Sequence, residues 1–352
     1  MISILKPGVG RQGSLLESFY MKRAHRILCV DDEDFNLELL EALLAPNGYE
    51  VFTAADGKAA MALMAEKNMD LLLLDINMPG MSGHEVCRAM RADADLKHIP
   101  VVMITSLESR EHRLKGIESG ADEFLSKPID QAELLLRIRN ILSARDYEDA
   151  FTYLIRSLAR AAEANDIDTG NHILRVGEYS ALIARELGLP EKFIENIRLQ
   201  ATLHDVGKVH VPSHILKKAG RLDAAEMEEM KKHTTFGAMI IGDHPHLEFG
   251  KRIALCHHEK WDGTGYPAGL KGEQIPLEAR IVTIADCYDA LRNSRVYKPC
   301  YDHDGAVRVI TEGDDRLKPG HFDPKIFEIF KRIAPQFKTL YEEMRDAPAH
   351  PA

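Results

Sequence analysis

The first third of the chain alternates between short apolar runs and stretches with helical spacing. Residues 35–45 and 58–67 repeat apolar side chains every three or four positions, which is typical of helices. The runs between and after them are only a few residues long. This alternation predicts an α/β domain of the flavodoxin type, a doubly wound parallel sheet covered by helices on both faces. The predicted strands are 27–30, 51–53, 71–74, 101–104 and 123–126.

A long stretch without glycine or proline follows the last predicted strand. It covers residues 129–169 and predicts one long helix or two helices in series. Apolar stripes begin at Leu134 and at Phe151, and the polar segment 143–146 lies between them. Two interpretations are open: two helices that pack on separate domains, or a rigid rod that pairs with its twin. We expect a homodimer through this linker.

From residue 151 onward, helical spacing dominates and strands are hard to find. The predicted helices are 172–187, 191–203, 223–242, 249–258, 277–292 and 303–312. We therefore expect an N-terminal extension at 1–24, an α/β domain at 25–142, a helical linker with the first helix of the second domain at 143–168, an all-α domain at 150–336 and a C-terminal tail at 337–352.

Composition fits this organisation. The chain has 352 residues, of which 45% are hydrophobic, enough for about two domains with their own cores. A formal net charge of −10 does not favour nonspecific nucleic-acid binding. We find no signal peptide and no apolar run near the length of a membrane span, so we expect a cytoplasmic protein without a membrane segment. The five cysteines lack CxxC spacing and suit a reducing compartment.

Polar side chains that suit phosphoryl transfer stand at the ends of the predicted strands. They are Asp31, Asp32, Asp75, Thr105 and Lys127. Strand ends of this kind meet at one edge of a parallel sheet, where active sites lie. The first two acids could hold Mg²⁺, Asp75 could attack a phosphoryl donor, and the hydroxyl and the ammonium could bind the new phosphate oxygens. The alternative is a generic flavodoxin-like sheet with solvated acids.

With these residues, the segment 25–145 resembles the receiver domain of two-component response regulators. The resemblance is carried by VDDE at 30–33, LDINMPGMSG at 74–83, TS at 105–106 and GADEFLSKP at 120–128. It implies that Asp75 is the phospho-acceptor and that Asp31 and Asp32 hold Mg²⁺. It also implies that the backbone carbonyl of Asn77 completes the shell of that metal, and that a histidine kinase is the partner.

The second domain contains more histidines and acids than a packed core needs. Asp286 follows the largely apolar segment 281–285, where a carboxylate is costly unless it is paired or bound to metal. Imidazoles and carboxylates bind iron, manganese and zinc, and two such metals can clamp a phosphoryl group. This pattern indicates a metal-dependent phosphodiesterase. The candidate ligands are Asp168, His172, His204, Asp205, His233, His257, His258 and Asp286.

Residues 150–336 resemble the HD-GYP family, the bacterial phosphodiesterases of cyclic di-GMP. The motifs are TGNH at 169–172, HDVGK at 204–208, HHEKWDGTGYP at 257–267 and ADCYDAL at 285–291. The resemblance implies that the histidines and acids above hold two or three divalent metals, with Asp205 bridging two of them. Iron or manganese is expected, and zinc or nickel could fill the same site.

The same resemblance implies roles in the reaction. A hydroxide held between the metals would attack phosphorus in line, and Lys208 would stabilise the charge of the transition state. Arg295 and Lys298 would hold phosphate oxygens. The GYP loop would shape the base pocket and could bind protein partners through its residues Gly265, Tyr266 and Pro267. Tyr266 could stack on a base or brace the loop.

One position departs from the family pattern. The family often has Glu where this chain has Asp168, and that Glu helps to hold a third metal. Asp is one methylene shorter, so two metals or three, and pGpG or GMP as the final product, are both open.

Together the resemblances imply a response regulator that hydrolyses cyclic di-GMP, with phosphorylation of Asp75 acting on the metal site through the helix at 129–169. The sign of that control is open. One alternative is a cyclic-dinucleotide sensor or scaffold with little turnover. Another is a phosphodiesterase for a related cyclic dinucleotide such as cyclic GMP-AMP. The GYP segment disfavours a hydrolase of nucleoside triphosphates or of guanosine tetraphosphate.

Overall fold

The structure is a computed structural model that describes residues 24–106, 115–163, 171–293 and 300–345. The chain divides into two compact units, Met1–Glu148 and Asp149–Ala352. The division falls within the expected linker at 143–168. No helix in the described ranges combines the length and the apolar character that a membrane span requires.

A parallel sheet of five strands forms the centre of the first unit, in the order β2–β1–β3–β4–β5. The bounds are β1 Arg26–Val30, β2 Glu50–Ala54, β3 Leu71–Asp75, β4 Val101–Thr105 and β5 Glu123–Ser126. All five predicted strands are present, and the doubly wound α/β prediction is confirmed. Strand β1 lies between β2 and β3. The order in which the chain adds strands to the sheet therefore reverses between β1 and β3, and Asp31 and Asp75 lie at the carboxyl ends of these two strands.

Alternate side chains of the sheet enter two separate cores, because successive residues of a strand point to opposite faces. Leu72 and Leu74 face one core, while Leu71 and Leu73 face the other. The helices of this unit are α1 Asp34–Leu44, α2 Gly57–Glu66 and α3 Gly83–Ala92. Helices α2 and α3 cover the first core and α1 covers the second. The predicted helices 35–45 and 58–67 correspond to α1 and α2.

A single helix, α4 Gln131–Glu163, carries the chain out of the first unit and into the second. Leu134, Ile138 and Leu142 belong to the core of the first unit. Ile155 and Ala159 belong to a core of the second unit. Over the described residues, the stretch without glycine and proline is therefore one helix, and not two in series.

The described residues of the second unit form helices joined by turns and loops, and no strand is among them. Its helices are α5 His172–Glu186, α6 Glu191–Gln200, α7 Ser213–Leu216, α8 Ala224–Lys231, α9 His233–Ile241, α10 Glu248–Cys256, α11 Leu277–Arg292, α12 His303–Glu312 and α13 Pro324–Glu343. Aromatic side chains pack at its centre: the ring of Tyr179 stacks on Phe337 with 4.4 Å between centroids and meets Tyr288 edge-on.

Three predicted boundaries differ from the structure. The predicted helix 223–242 is interrupted at Lys232, so that His233 becomes the first residue of α9. The predicted helix 191–203 is α only to Gln200 and ends in a 3₁₀ turn. The tail expected from residue 337 is still helix: α13 continues to Glu343 because Phe337, which is fully buried, extends the apolar face of that helix.

Candidate metal centre and phosphorylation site

Seven of the eight predicted metal ligands lie within the described residues. Most of them stand at helix ends, where the backbone can bring side chains from several directions to one point. His172 begins α5, and His233 begins α9. His257 and His258 directly follow α10, while Asp286 lies inside α11. The remaining pair, His204 and Asp205, separates two 3₁₀ turns, Ala201–Leu203 and Val206–His210.

The fold gathers these side chains into two groups of metal-capable donor atoms. One group contains His172 and His204, and the other contains His233, His257 and His258. Asp205 belongs to both, and within each group the donor atoms lie within 4.8 Å of one another. Its Oδ2 is 3.3 Å from His204 Nε2, and its Oδ1 is 3.3 Å from His233 Nε2. The carboxylate of Asp205 therefore stands between two separate sets of imidazoles.

Hydrogen bonds on the far side of the rings decide which nitrogen each histidine offers. His204 Nδ1 donates to the Ala201 carbonyl at 2.9 Å, and His233 Nδ1 donates to Met230 at 2.7 Å. His257 Nδ1 donates to Ile253 at 3.0 Å. A neutral imidazole that donates through Nδ1 keeps a lone pair on Nε2. Each of the three rings therefore presents Nε2 as the nitrogen that can bind a cation.

The donor atoms of the two groups are arranged so that a metal ion can bind them, and they do not satisfy one another by hydrogen bonds. His233 Nε2 and His257 Nε2 are 3.5 Å apart, and two lone pairs at this distance gain nothing from their contact. Within the described residues, His204 Nε2 and Asp205 Oδ1 are buried without a hydrogen-bond partner. A buried polar atom without a partner is costly, and a cation between the rings and the carboxylate would remove that cost. Nitrogen and carboxylate donors suit first-row divalent metals.

The pKa values of the imidazoles differ between the two groups. Burial lowers the pKa of His233 to about 4 and holds the pKa of His258 well below its usual value, so both rings are neutral near pH 7. Burial also opposes protonation of His204, but the Asp205 carboxylate outweighs it and raises the pKa of His204 to about 9. A metal that binds His204 must therefore displace a proton.

Gly207 and Lys208 follow the His204–Asp205 pair, and each contributes to the geometry of the site. The Lys208 ammonium lies 2.7 Å from Asp205 Oδ2. Burial opposes the ionisation of Asp205, but Lys208 and His204 outweigh it and hold its pKa well below the usual range. A Cβ atom at Gly207 would lie 1.9 Å from the carbonyl oxygen of His233, so only glycine lets this turn approach α9.

A buried acid holds the GYP loop next to the second group of histidines. Glu259 is 1% exposed and accepts hydrogen bonds from the backbone N–H groups of Ala268 and Leu270. The ring of Tyr266 lies against His258, with 4.8 Å between centroids. Burial raises the pKa of Tyr266, so its phenol stays protonated. Of the two roles considered for Tyr266, this packing favours bracing the loop.

The remaining predicted site residues of the second unit divide into those that the structure describes and those outside the described ranges. Asp286 lies beside the first group, with Oδ1 at 3.6 Å from His172 Nε2 and 3.8 Å from His204 Nε2. Pro267 follows Tyr266 in the loop through a cis peptide bond. Asp168, Arg295 and Lys298 lie outside the described residues.

The first unit brings three of the predicted phosphoryl-transfer residues into contact. Lys127 Nζ lies 2.8 Å from Asp31 Oδ2 and 2.6 Å from Asp75 Oδ1. Both carboxylates are buried, and Asp75 is 4% exposed. Burial alone would lower the pKa of Lys127, but the two carboxylates outweigh it and raise that pKa above its usual value. The ammonium therefore keeps its charge beside the candidate phospho-acceptor.

The other predicted residues surround this ion pair. Asp32 is exposed at the end of β1, and Thr105 is buried at the end of β4. The backbone N–H of Asn77 donates to Asp75 Oδ2 at 2.6 Å. Oδ1 of Asp75 thus faces the lysine, while Oδ2 is held by the loop that follows β3. This arrangement fixes the orientation of the Asp75 carboxylate.

Comparisons with known proteins identify both domains. Residues 27–139 match the response regulator receiver domain, and residues 154–326 match the HD domain. A cyclic di-GMP phosphodiesterase of Thermotoga maritima is 34% identical over 351 residues, which cover 91% of this chain and 93% of the relative. The cyclic di-GMP phosphodiesterase response regulator RpfG of Xanthomonas campestris is 34% identical over 352 residues, which cover 92% of each chain.

The chain belongs to this family of response regulators with a receiver and an HD domain. A further relative, the 3'3'-cGAMP-specific phosphodiesterase 2 of Vibrio cholerae, is 37% identical over 214 residues. That match covers 60% of this chain and 40% of the relative. The first unit is accordingly called the receiver domain below, and the second the HD domain.

Asp289 was not among the site residues predicted from the sequence. In the HD domain its Oδ2 accepts a hydrogen bond from His172 Nδ1 at 2.8 Å, so His172 also directs Nε2 toward the centre. Arg175 holds Asp289 with two bonds, from Nε at 2.7 Å and from Nη2 at 2.9 Å. All three side chains are buried. The available signal was an acid three residues after Asp286 on the same apolar helix.

Glu163 is a second buried acid that was not predicted from the sequence as a site residue. It is the last described residue of α4 and is 7% exposed. Its position is four residues after Ala159 and eight after Ile155, which puts an acid in line with the apolar stripe of that helix. Such an acid in an apolar stripe was the signal in the sequence.

Proposed function

We propose that this protein is a response regulator whose HD domain hydrolyses cyclic di-GMP to the linear dinucleotide pGpG, under control of phosphorylation at Asp75. The observation that carries the proposal is the position of Asp205, whose two oxygens face two groups of histidines. Two metals that share a carboxylate can clamp a phosphodiester, which is the arrangement such hydrolysis requires. The two relatives named as cyclic di-GMP phosphodiesterases support the substrate class.

We assign the metal ligands by donor group. One metal would be held by His172, His204 and Asp286, the other by His233, His257 and His258, with Asp205 shared between them. Iron or manganese suits these donors best, and zinc or nickel would also fit, since no thiolate is among them. When bound, the metals supply Lewis acidity for the attack of water on phosphorus. Asp168 would decide whether a third metal binds.

The chain's own residues prepare the site for a charged substrate. Asp205 is fixed by the Lys208 ammonium, which at 2.7 Å also places a positive charge beside the centre. Negative charge builds on the phosphate oxygens during attack, and a positioned ammonium stabilises that charge. Lys208 therefore has two functions: it orients the shared carboxylate and stabilises the transition state.

Recognition of the nucleotide would fall to the segments on either side of the centre. The GYP loop with Gly265, Tyr266 and Pro267 would form a wall of the base pocket. Arg295 and Lys298 would bind the phosphate oxygens, because guanidinium and ammonium groups form charge-assisted hydrogen bonds with phosphate.

In the receiver domain, Asp75 would accept the phosphoryl group from a histidine kinase. Asp31, Asp32 and the backbone carbonyl of Asn77 would hold Mg²⁺, since carboxylate and carbonyl oxygens are its preferred ligands. Thr105 and Lys127 would bind the phosphate oxygens. Phosphorylation would then break the contact between Lys127 and the Asp75 carboxylate in its present form.

The proposed function is tested by turnover of cyclic di-GMP with protein purified without oxygen, with metals counted on the same sample. We expect hydrolysis to pGpG in the wild type and none with Asp205→Ala. Conversion of added pGpG to GMP, with three metals per chain, would assign Asp168 to a third site. Tight binding of cyclic di-GMP without turnover, on fully metallated protein, would instead identify a sensor.

A second candidate substrate is cyclic GMP-AMP, because one relative is named for that activity. The same assay with 3'3'-cyclic GMP-AMP as competitor separates the two. A higher kcat/KM for the mixed dinucleotide would move the assignment to it.

We further propose that the protein forms a homodimer through α4. That helix exposes a line of large apolar side chains, which is unusual for a helix that does not pair. They are Leu136, Tyr147, Leu154 and Leu158, each more than 40% exposed.

A further inference from the structure

Glu163 is a buried acid with one carboxylate oxygen that has no hydrogen-bond partner among the described residues. That oxygen is Oε2, and only 7% of the residue is exposed. A carboxylate in such a place is costly unless a cation or a donor meets it. The receiver and HD domain cores contain other buried acids, but those have partners: Asp289 has Arg175, and Glu259 has two backbone N–H groups.

The packing of α4 sets Glu163 beside the metal centre. Its last two turns, with Ile155, Ala159 and Ala162, belong to one apolar cluster of the HD domain. That cluster also contains Ile173, Leu203 and Val206, which are the chain neighbours of His172, His204 and Asp205. The helix end is thus packed on the three segments that carry one of the two donor groups.

The charges that act on Glu163 come from the same donor group. They are those of His172, His204, Asp205 and Lys208, and burial raises the pKa of Glu163 to about 7. These residues belong to, or directly follow, the donor group on whose chain neighbours the end of α4 packs.

We propose that Glu163 is a further residue of the metal centre, whose carboxylate accepts a hydrogen bond from a water bound to the cation held by His172, His204 and Asp205. This inference rests on the proposed metal site. A water on a cation there would provide the partner that the buried carboxylate needs. With Asp205 and Asp286, Glu163 would bring a third carboxylate to this side of the centre, and hard oxygen donors favour manganese or iron over softer metals.

The test is Glu163→Gln in the full-length protein, with Glu148→Gln as a matched control. Glu148 is an exposed residue of the same helix, so its substitution removes the same charge from a solvated position. Glutamine keeps the size and shape of the side chain and creates no cavity. Each chelator-treated protein is titrated with Mn²⁺, its thermal unfolding is measured with and without the metal, and turnover of cyclic di-GMP is recorded on the same samples.

We expect one of the two Mn²⁺ equivalents to bind Glu163→Gln about 10–100-fold more weakly than wild type, as is typical when a group supporting a metal is lost. The metal-free variant should melt at or above the wild-type temperature, because a buried charge has been removed. The control should match wild type in both measurements.

Two results would overturn the inference. One is an unchanged Mn²⁺ affinity in the variant. The other is a lower melting temperature of the metal-free variant, which would assign Glu163 to the fold instead of the metal. If wild type binds Mn²⁺ but hydrolyses no cyclic di-GMP, the proposed function fails, while the titration still decides the role of Glu163.

Discussion

His172 differs from His204, His233 and His257 in the acceptor of its Nδ1 hydrogen bond. His204, His233 and His257 donate through Nδ1 to main-chain carbonyls, whereas His172 donates to a charged carboxylate. An anionic partner makes the opposite nitrogen a stronger donor to a metal. Arg175 and Asn293 in turn fix the position of Asp289.

Asp289→Asn should therefore weaken metal binding and the fold together. We expect the affinity for one metal to fall about 10–100-fold. Because Arg175 and His172 would lose the buried charged carboxylate to which both donate, the unfolding free energy should fall by about 3–5 kcal/mol. Manganese titration and thermal unfolding measure the two effects. Asp243→Asn, at an exposed ion pair with Lys251, is the control. Unchanged metal affinity in a folded variant would disprove the role of Asp289.

Gly265 is the residue of the GYP loop that sterics most constrain. A Cβ atom there would lie 2.4 Å from Glu259 Cα and 2.4 Å from the Lys260 nitrogen, both backbone atoms that cannot turn aside. Any side chain must push the loop away from the segment that follows His258. The loop supports Tyr266, which packs on His258.

Gly265→Ala should consequently lower turnover of cyclic di-GMP on the order of 10²-fold, because a shift near 1 Å in a substrate-positioning segment costs about that much. Metal content should stay near that of wild type. The control is Gly320→Ala, since a Cβ atom at Gly320 meets no atom within 4 Å. If both variants retain full turnover, the loop does not position the substrate.

At the scale of the element, α4 combines a buried face with an exposed apolar one. Ile155 and Ala159 are buried, while Tyr147, Leu154 and Leu158 are exposed. Residues 147, 154 and 158 follow intervals of seven and four, the spacing that brings side chains to one side of a helix. A helix that exposes such a line is suited to pair with a second copy of itself.

Leu154→Glu should separate the dimer without unfolding the chain. Leu154 is 66% exposed, so the charge is well solvated in the monomer but would be buried in a paired helix. Light scattering behind a sizing column should give the monomer mass for the variant and the dimer mass for wild type. A wild-type monomer at the same concentration, or a variant that remains dimeric, would contradict pairing through this face.

At the scale of the whole molecule, α4 connects the receiver domain, which carries the candidate phosphorylation site, to the HD domain, which carries the candidate metal centre. It starts at Gln131 in the receiver domain, and its last described turns pack on Ile173, Leu203 and Val206, the chain neighbours of three candidate metal ligands. A helix without interruption can transmit a rotation or a shift along its axis. Phosphorylation of Asp75 thus has a physical route to the HD domain.

If α4 transmits the signal by its rotational phase, insertions after Glu148 should differ by length. One residue turns the following segment by about 100°, whereas seven residues restore the phase to within about 20°. We expect beryllofluoride, a phosphoryl analogue, to change turnover in wild type and in the seven-residue insertion, and to have no effect in the one-residue insertion. Asp75→Asn should abolish the response in all three. Equal responses in both insertions would exclude a phase-dependent route.

Local patterns in the sequence determined the fold class and most of the site. Short continuous apolar runs predicted the five strands, because a strand that is buried on both faces is apolar at nearly every position. The acids and the lysine at strand ends predicted the contact of Lys127 with Asp31 and Asp75 because parallel strands bring those ends to one edge. Histidines at helix ends, matched to family motifs, predicted a cluster around Asp205.

Tertiary structure alone decided what depends on distance across the fold. The grouping of donors on two sides of Asp205 needed the meeting of α5, α9, α10 and α11, which no local spacing encodes. Asp289 and Glu163 became site residues only through packing, because a buried acid and a solvated one look alike in a sequence. The length of α13 was likewise decided by the core, where Phe337 stacks on Tyr179. Burial and partners are properties of the packed chain, and these separate a ligand from an ordinary polar residue.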